Sequence, residues 1–142
     1  MIRLSREHRA QLRAEAESAW PEECCGLIVG RKGPDGTEIS SLVPTANVAG
    51  ADRHQRFEVD PAAHLRLQRK LRGTEEAVIG VYHSHPAGPA VPSAHDLARA
   101  IEPGWLWIIV GLANGRTGEI NGFVHRAGGF EPVALGTGDL TL

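Results

Sequence analysis

Cysteine is scarce in this chain: Cys24 and Cys25 are the only two, and they are adjacent. Neighbouring cysteines cannot staple distant segments, which excludes the disulfide framework of a small secreted domain and makes a reducing cytoplasm the expected compartment. Long apolar runs are missing, since none approaches the roughly 20 residues needed to cross a bilayer. The charged opening MIRLSREHRAQLRAEAESAW also lacks the apolar core of a signal peptide. Excess charge of either sign is absent: 15 basic and 17 acidic residues give a formal net charge of -2. Neither nucleic acid nor a membrane surface is therefore an expected partner.

What is present is the balance of a globular protein, with 42% hydrophobic and 23% charged residues in 142 positions. That length predicts one domain, residues 1–142. Ser5 is placed to cap a helix through REHRAQLRAEAESAW, with Leu12, Ala16 and Ala19 on one stripe, and Pro21 ends it. CCGLIVGRK and TEISSLVPT read as two strands joined by the Gly33–Gly36 turn. Residues 45–55 have little periodicity and read as a surface loop, and Asp60-Pro61 starts a helix that Gly73 ends. EAVIGVYHSH is rich in β-branched residues and predicts a strand, whereas the three prolines of PAGPAVP exclude regular structure. Ser93 then caps a helix through SAHDLARAIE, closed by Pro103-Gly104. WLWIIVGL predicts a central strand buried on both faces, GEINGFVHR and FEPVAL two more, and the closing GTGDLTL a loosely held end. Alternating helices and strands predict an α/β domain with a mixed β-sheet flanked by helices.

Chemistry concentrates in GVYHSHPAGPAVPSAHD, residues 80–96. On a strand, His83 and His85 point to one face because side chains alternate with period two. Ser93 and Asp96 stand at the N-cap and third position of the next helix, where they can serve as a capping pair or turn back towards the two histidines. A His-x-His pair alone is a weak sign of metal. Two imidazoles and one carboxylate together, with water in the fourth position, form a sound catalytic zinc set. Hydrolysis also requires a carboxylate within reach of that water, and Glu22 and Glu23 are the candidates.

A Glu before a small-residue strand, then His-x-His-Pro, then Ser and Asp three residues apart, resembles the JAMM (MPN-plus) metalloprotease family, in its compact prokaryotic branch. Glu23, His83-Ser84-His85-Pro86, Ser93 and Asp96 supply these elements. The resemblance implies a single-domain JAMM/MPN fold similar to cytidine deaminases. It also implies Zn2+ held by His83, His85 and Asp96, with Glu23 rather than Glu22 as general acid/base and Ser93 donating to the oxyanion. The implied activity is hydrolysis of a peptide or isopeptide bond at the C-terminal tail of a ubiquitin-like or sulfur-carrier protein. An inactive MPN-type scaffold is the alternative, although a scaffold has no physical need for that residue set. The His-x-Glu and Pro-Cys-x-x-Cys patterns of a zinc deaminase do not occur.

Other residues invite weaker readings. On a strand Cys25 would share Glu23's face and approach the metal, and Cys24 would face away, although buried packing is the ordinary fate of both. His95 would point about 100° from Asp96, and so face solvent or support the ligands from outside the metal set. His8, His54, His64 and His125 read as surface residues, and Trp105 and Trp107 as core packing. Residues 46–55 and 86–92 both flank the site and either could grip a substrate tail. Oligomeric state has no signature in the sequence.

Overall fold

The computed structural model describes residues 1–100 and 102–137. The expectation of a loose C-terminus falls largely on residues 138–142, outside those described. The chain runs β1 (Ile2–Arg3), α1 (Arg6–Ala19), β2 (Cys25–Gly33), β3 (Gly36–Thr45), a 3-10 turn (Gly50–Asp52), α2 (Pro61–Leu71), β4 (Ala77–His85), α3 (Ala94–Arg99), β5 (Leu106–Ala113), β6 (Arg116–Arg126), β7 (Gly129–Val133) and β8 (Leu135–Gly136). The strands form a mixed eight-stranded sheet in the order β7-β6-β5-β4-β2-β3-β1-β8. β2 pairs antiparallel with β4, and β4 pairs parallel with β5. The central β5 is buried along seven of its eight residues, as its continuous apolar sequence predicts.

The sheet curls. β7 and β8 lie at opposite edges, yet Ala134 alone separates them in sequence. Successive Cα atoms are 3.80 Å apart, so this link holds the two edges close together.

Each sheet face carries its own core. On one, Leu12 and Ala16 of α1 pack against Ile28, Tyr82, Ile108 and Val110. On the other, Leu27, Phe57, Val81, Trp107, Ile109 and Phe123 form a second cluster. Trp105 packs against that second cluster, so both tryptophans serve the core. Ser5 and Asp60 cap α1 and α2 through their side chains, as predicted.

Several boundaries differ from the sequence reading. The helix after Ser93 ends at Arg99 rather than running to Glu102, because Ala100 turns extended and the chain bends through Gly104 at φ 84° to enter β5. FEPVAL is split between β7 and β8, and the short β1 has too few residues for any periodic signal. His125 is not a surface residue. It is 8% exposed, because the segment before β5 covers the end of β6, with the Gly104 amide donating to the His125 carbonyl. His8 is half-buried, and His64 is half-buried beside Trp105. Among the described residues no helix is long and apolar enough to cross a membrane.

Candidate functional site

β4 ends on the site. His83 and His85 leave the strand on one face, and α3 opens opposite them, so that Asp96 at its third position turns inward. The Nε2 of His83 lies 3.0 Å from Asp96 Oδ1, and the Nε2 of His85 lies 3.0 Å from Asp96 Oδ2. The two Nε2 atoms are 3.1 Å apart. Donors about 2.0 Å from one tetrahedral ion stand roughly 3.3 Å from each other, so the spacing suits a single metal.

The proton inventory agrees. His85 Nδ1 lies 2.9 Å from the Pro89 carbonyl, which only an N–H can satisfy, so in the neutral ring Nε2 carries the lone pair. That lone pair faces a carboxylate oxygen and a second imidazole nitrogen. Burial pushes His83 towards its neutral form, against the pull of Asp96. Burial opposes ionisation of Asp96 too, but hydrogen bonds from both histidines and from the Ser93 amide hold its carboxyl well below the usual range. For His85 the burial effect is outweighed by Asp96 and Pro89, and its pKa rises. A cation satisfies all three groups at once. His83, His85 and Asp96 are thus a group able to hold a metal ion.

Glu23 sits beside this cluster, although not on a strand as expected. β2 begins at Cys25, and Glu23 is held in the preceding turn by its amide, which donates to the Arg53 carbonyl at 2.7 Å. It is 4% exposed and its Oε1 has no hydrogen-bond partner. Burial pushes its pKa up to about 8, with His85 lowering and Asp96 raising it. Glu22 instead points outward to Arg53 at 3.1 Å. Ser93 forms a reciprocal capping box: its hydroxyl oxygen accepts from the Asp96 amide, and its own amide donates to Asp96 Oδ2. The hydroxyl proton is left for another acceptor. Capping and inward orientation, which the sequence left as alternatives, turn out to be one arrangement.

Cys25 pairs in register with His83 across the β2–β4 ladder, so the two share a face. Its sulfur is nevertheless turned to Thr45 and the Ala46 carbonyl, and burial pushes the thiol up to about 11. Cys24 packs against the opposite core, and burial pushes its thiol up to about 12. His95 is exposed.

Four supporting residues escaped the sequence reading. Phe57 stacks on His83 with ring centroids 4.2 Å apart. Ser84, the residue between the two histidines, is fully buried on the other face. Its hydroxyl accepts from the Cys24 amide at 2.9 Å, tying the Glu23 segment to β4. Asn47 donates to the carbonyls of Glu23 and Arg56 and accepts from the Ala49 and Glu58 amides. The expected surface loop is therefore an anchored wall of the site. Asn121 on β6 donates to the Ala90 carbonyl at 3.1 Å, holding the proline loop whose Pro89 carbonyl orients His85. Gly111 lets that loop lie close, since a Cβ there would come within 2.8 Å of the Ala90 amide nitrogen. A serine inside an apolar strand was a signal for Ser84; nothing in the sequence marked the other three.

Loss of such an outer partner typically weakens metal binding by about 10–100-fold. Asn121→Ala is expected to fall near the lower end while leaving the melting temperature of the chelated protein nearly unchanged. Isothermal titration with a divalent metal checks this, and unchanged affinity would remove Asn121 from the support of His85.

Solved structures share this arrangement of sheet and helices. A protein of Desulfitobacterium hafniense, known in solution, superposes with a TM-score of 0.82 at 29% identity, over 95% of this chain and 91% of that one. A JAB1/MPN domain protein from Archaeoglobus fulgidus shares the fold with a TM-score of 0.64 at 22% identity, over 94% and 96% of the two chains. The fold is thus the mixed-sheet JAB/MPN type that the sequence motif implies. A family model described as prokaryotic homologs of the JAB domain matches residues 5–123, and the chain belongs to that family. Among curated relatives, the CysO-cysteine peptidase of Mycobacterium tuberculosis is 31% identical over 123 residues, 84% of this chain and 81% of that protein. The desampylase of Haloferax volcanii is 34% identical over 89 residues, 63% of this chain but only 62% of that relative's length.

Proposed function

We propose that residues 1–142 act as one zinc peptidase domain. Its reaction is hydrolysis of the peptide or isopeptide bond at the C-terminal tail of a ubiquitin-like or sulfur-carrier protein, in the cytoplasm. The observation that carries the reading is the convergence of His83, His85 and Asp96 beside Glu23, a buried carboxyl group with an unpartnered oxygen. Two imidazoles and a carboxylate favour zinc among the abundant divalent ions. The relatives' names, a desampylase and a CysO-cysteine peptidase, support a protein-conjugate substrate. The cytoplasmic setting is supported by Cys24 and Cys25 being free thiols.

When bound, the zinc supplies a water of lowered pKa and polarises the scissile carbonyl. Glu23 takes a proton from the attacking water and delivers it to the leaving nitrogen, giving a carboxylic acid and an amine, and the acid's remaining proton passes to the amine to leave a carboxylate and an ammonium. Burial raises the pKa of Glu23 in the metal-free protein, and a bound cation would draw it back towards the ionised carboxylate that takes the proton. Ser93, whose hydroxyl proton is uncommitted, donates to the carbonyl oxygen as negative charge develops there. Phe57 keeps water from one face of His83 and fixes its plane.

The test is to incubate the purified protein with ubiquitin-like carriers bearing C-terminal adducts, following release by mass spectrometry. Cleavage is expected, lost on chelation and restored by zinc. A protein that binds zinc stoichiometrically yet cleaves no adduct would instead be a scaffold.

A further inference from the structure

α2 has two unlike sides. On the inner side Leu67 packs against the cluster of Phe57, Val81 and Trp107, and His64 lines a hollow of about 230 Å³ together with both of those rings. Phe57 stacks on His83 at 4.2 Å and Trp107 meets it edge-on at 5.7 Å, so the helix stands directly behind the rings that contact a candidate metal donor. The outer side is exposed and basic. Leu65, Arg66, Arg69 and Lys70 all face solvent, and no acidic residue occurs between Pro61 and Gly73. Among the described residues none of these three cations has an ion-pair partner. Arg66 instead faces like charges three and four positions on, at Arg69 and Lys70, a spacing that destabilises a helix. The helix dipole accounts for Arg69 and Lys70 in the last turn. It does not account for Arg66 in mid-helix, nor for Leu65 beside it, which is 48% exposed.

We propose that this outer side of α2 is the docking surface for the folded body of the carrier protein, and that the carrier meets it with an acidic face. The inference rests on the hydrolase reading above and adds to it the chemistry of the partner's surface. An acidic face supplies the counter-charges that Arg66, Arg69 and Lys70 lack, and Leu65 gives the contact an apolar point within its charged rim. The distances fit. A helix rises 1.5 Å per residue, so Arg66 stands about 9 Å along the axis from Asp60. Phe57, three residues before Asp60, is at most about 10 Å further back. A carrier seated on α2 therefore holds the root of its tail roughly 20 Å from His83, a span that about six extended residues cover. A long polyanion fits less well. With 17 acidic against 15 basic residues in the chain, the surface beyond α2 repels one, whereas a compact acidic face meets the basic stripe alone.

The double variant Arg66→Glu/Arg69→Glu tests this, since glutamate keeps the helix propensity of arginine. Its control is Arg13→Glu/Lys32→Glu, which changes the net charge equally at exposed positions away from α2. Two substrates are compared by kcat/KM: the ubiquitin-like carrier adduct that wild type cleaves fastest, and a synthetic peptide of its tail alone bearing the same adduct. At about 0.01 M ionic strength the α2 variant is expected to lose at least about tenfold on the whole carrier, through KM, and less than about twofold on the peptide. The carrier loss shrinks at about 1 M, where the screening length falls to about 3 Å. Equal losses on carrier and peptide, an equal loss in the control, or no loss at all would each overturn the surface. Binding is read apart from activity by titrating the same carriers, a short DNA duplex and phosphatidylglycerol vesicles into isotope-labelled, metal-free wild type. Shifts of the Leu65, Arg66, Arg69 and Lys70 amides that a carrier causes, and that vanish in Arg66→Glu/Arg69→Glu, support the surface. Their absence with every carrier overturns it, and so does tighter binding of the duplex or the vesicles. If wild type cleaves no carrier, the hydrolase reading fails, while this titration still decides the surface.

Discussion

Replacing Glu23 with glutamine is expected to lower hydrolysis by about 10²–10⁴-fold, the usual contribution of a general acid/base, while making the metal-free protein more stable. The two effects share one cause. Burial holds the Glu23 carboxyl near a pKa of about 8 against an ordinary 4.5. As pH rises through 4.5 the unfolded chain releases its proton while the folded chain keeps its own, so the wild type loses stability up to about pH 8. Glutamine does not titrate. The advantage of the variant is therefore absent below about pH 4.5 and grows to roughly a few kcal/mol at the top of that window. A bound cation favours the ionised carboxylate and shrinks the difference. Thermal melts of chelated wild type and Glu23→Gln across this range give the answer, and a difference that does not vary with pH would refute the account.

Asp96→Asn is expected to do the opposite to stability. Asp96 is held ionised by both histidines and the Ser93 amide, so its contribution is present above the ordinary carboxylate pKa and lost as pH falls below it. Asparagine removes that charge and sets an amide among imidazole nitrogens. The chelated variant should melt below wild type at neutral pH, by an amount that diminishes in acid. Asp96 is also the single anionic donor of the cluster, so zinc affinity should fall by more than about 100-fold, beyond the range seen for outer partners. A ligand at a hundred times its Kd stabilises a fold by about 2.7 kcal/mol, so zinc should raise the melting temperature of wild type and leave that of Asp96→Asn where it was. An equal rise in both would remove Asp96 from the ligand set.

These two carboxylates also show what the sequence can convey. The place of Asp96 beside the histidines was legible because it is set locally: a strand period brings His83 and His85 to one face, and a helix cap three residues long turns Asp96 towards them. Glu23 was legible only through the family motif, since its approach depends on β2 pairing with β4 and on Ser84 and Asn47 holding its turn. Periodicity located most strands because β5 and β4 carry their burial in runs of apolar residues. It missed the burial of His125, which depends on a segment crossing over β6, and it overextended α3, whose end is dictated by the entry into β5. Phe57, Asn47 and Asn121 act through contacts between remote segments, which no short window contains.

The three candidate metal donors lie close together along the chain, whereas Glu23 lies far upstream. On the proposed assignment, the meeting of β4 with α3 is what assembles the zinc donors. The carboxylate proposed to make the centre hydrolytic is brought there by the distant β2 through its ladder with β4. The candidate donors and the carboxylate thus rest on separate contacts, the donors on the junction of β4 with α3 and Glu23 on the pairing of β2 with β4.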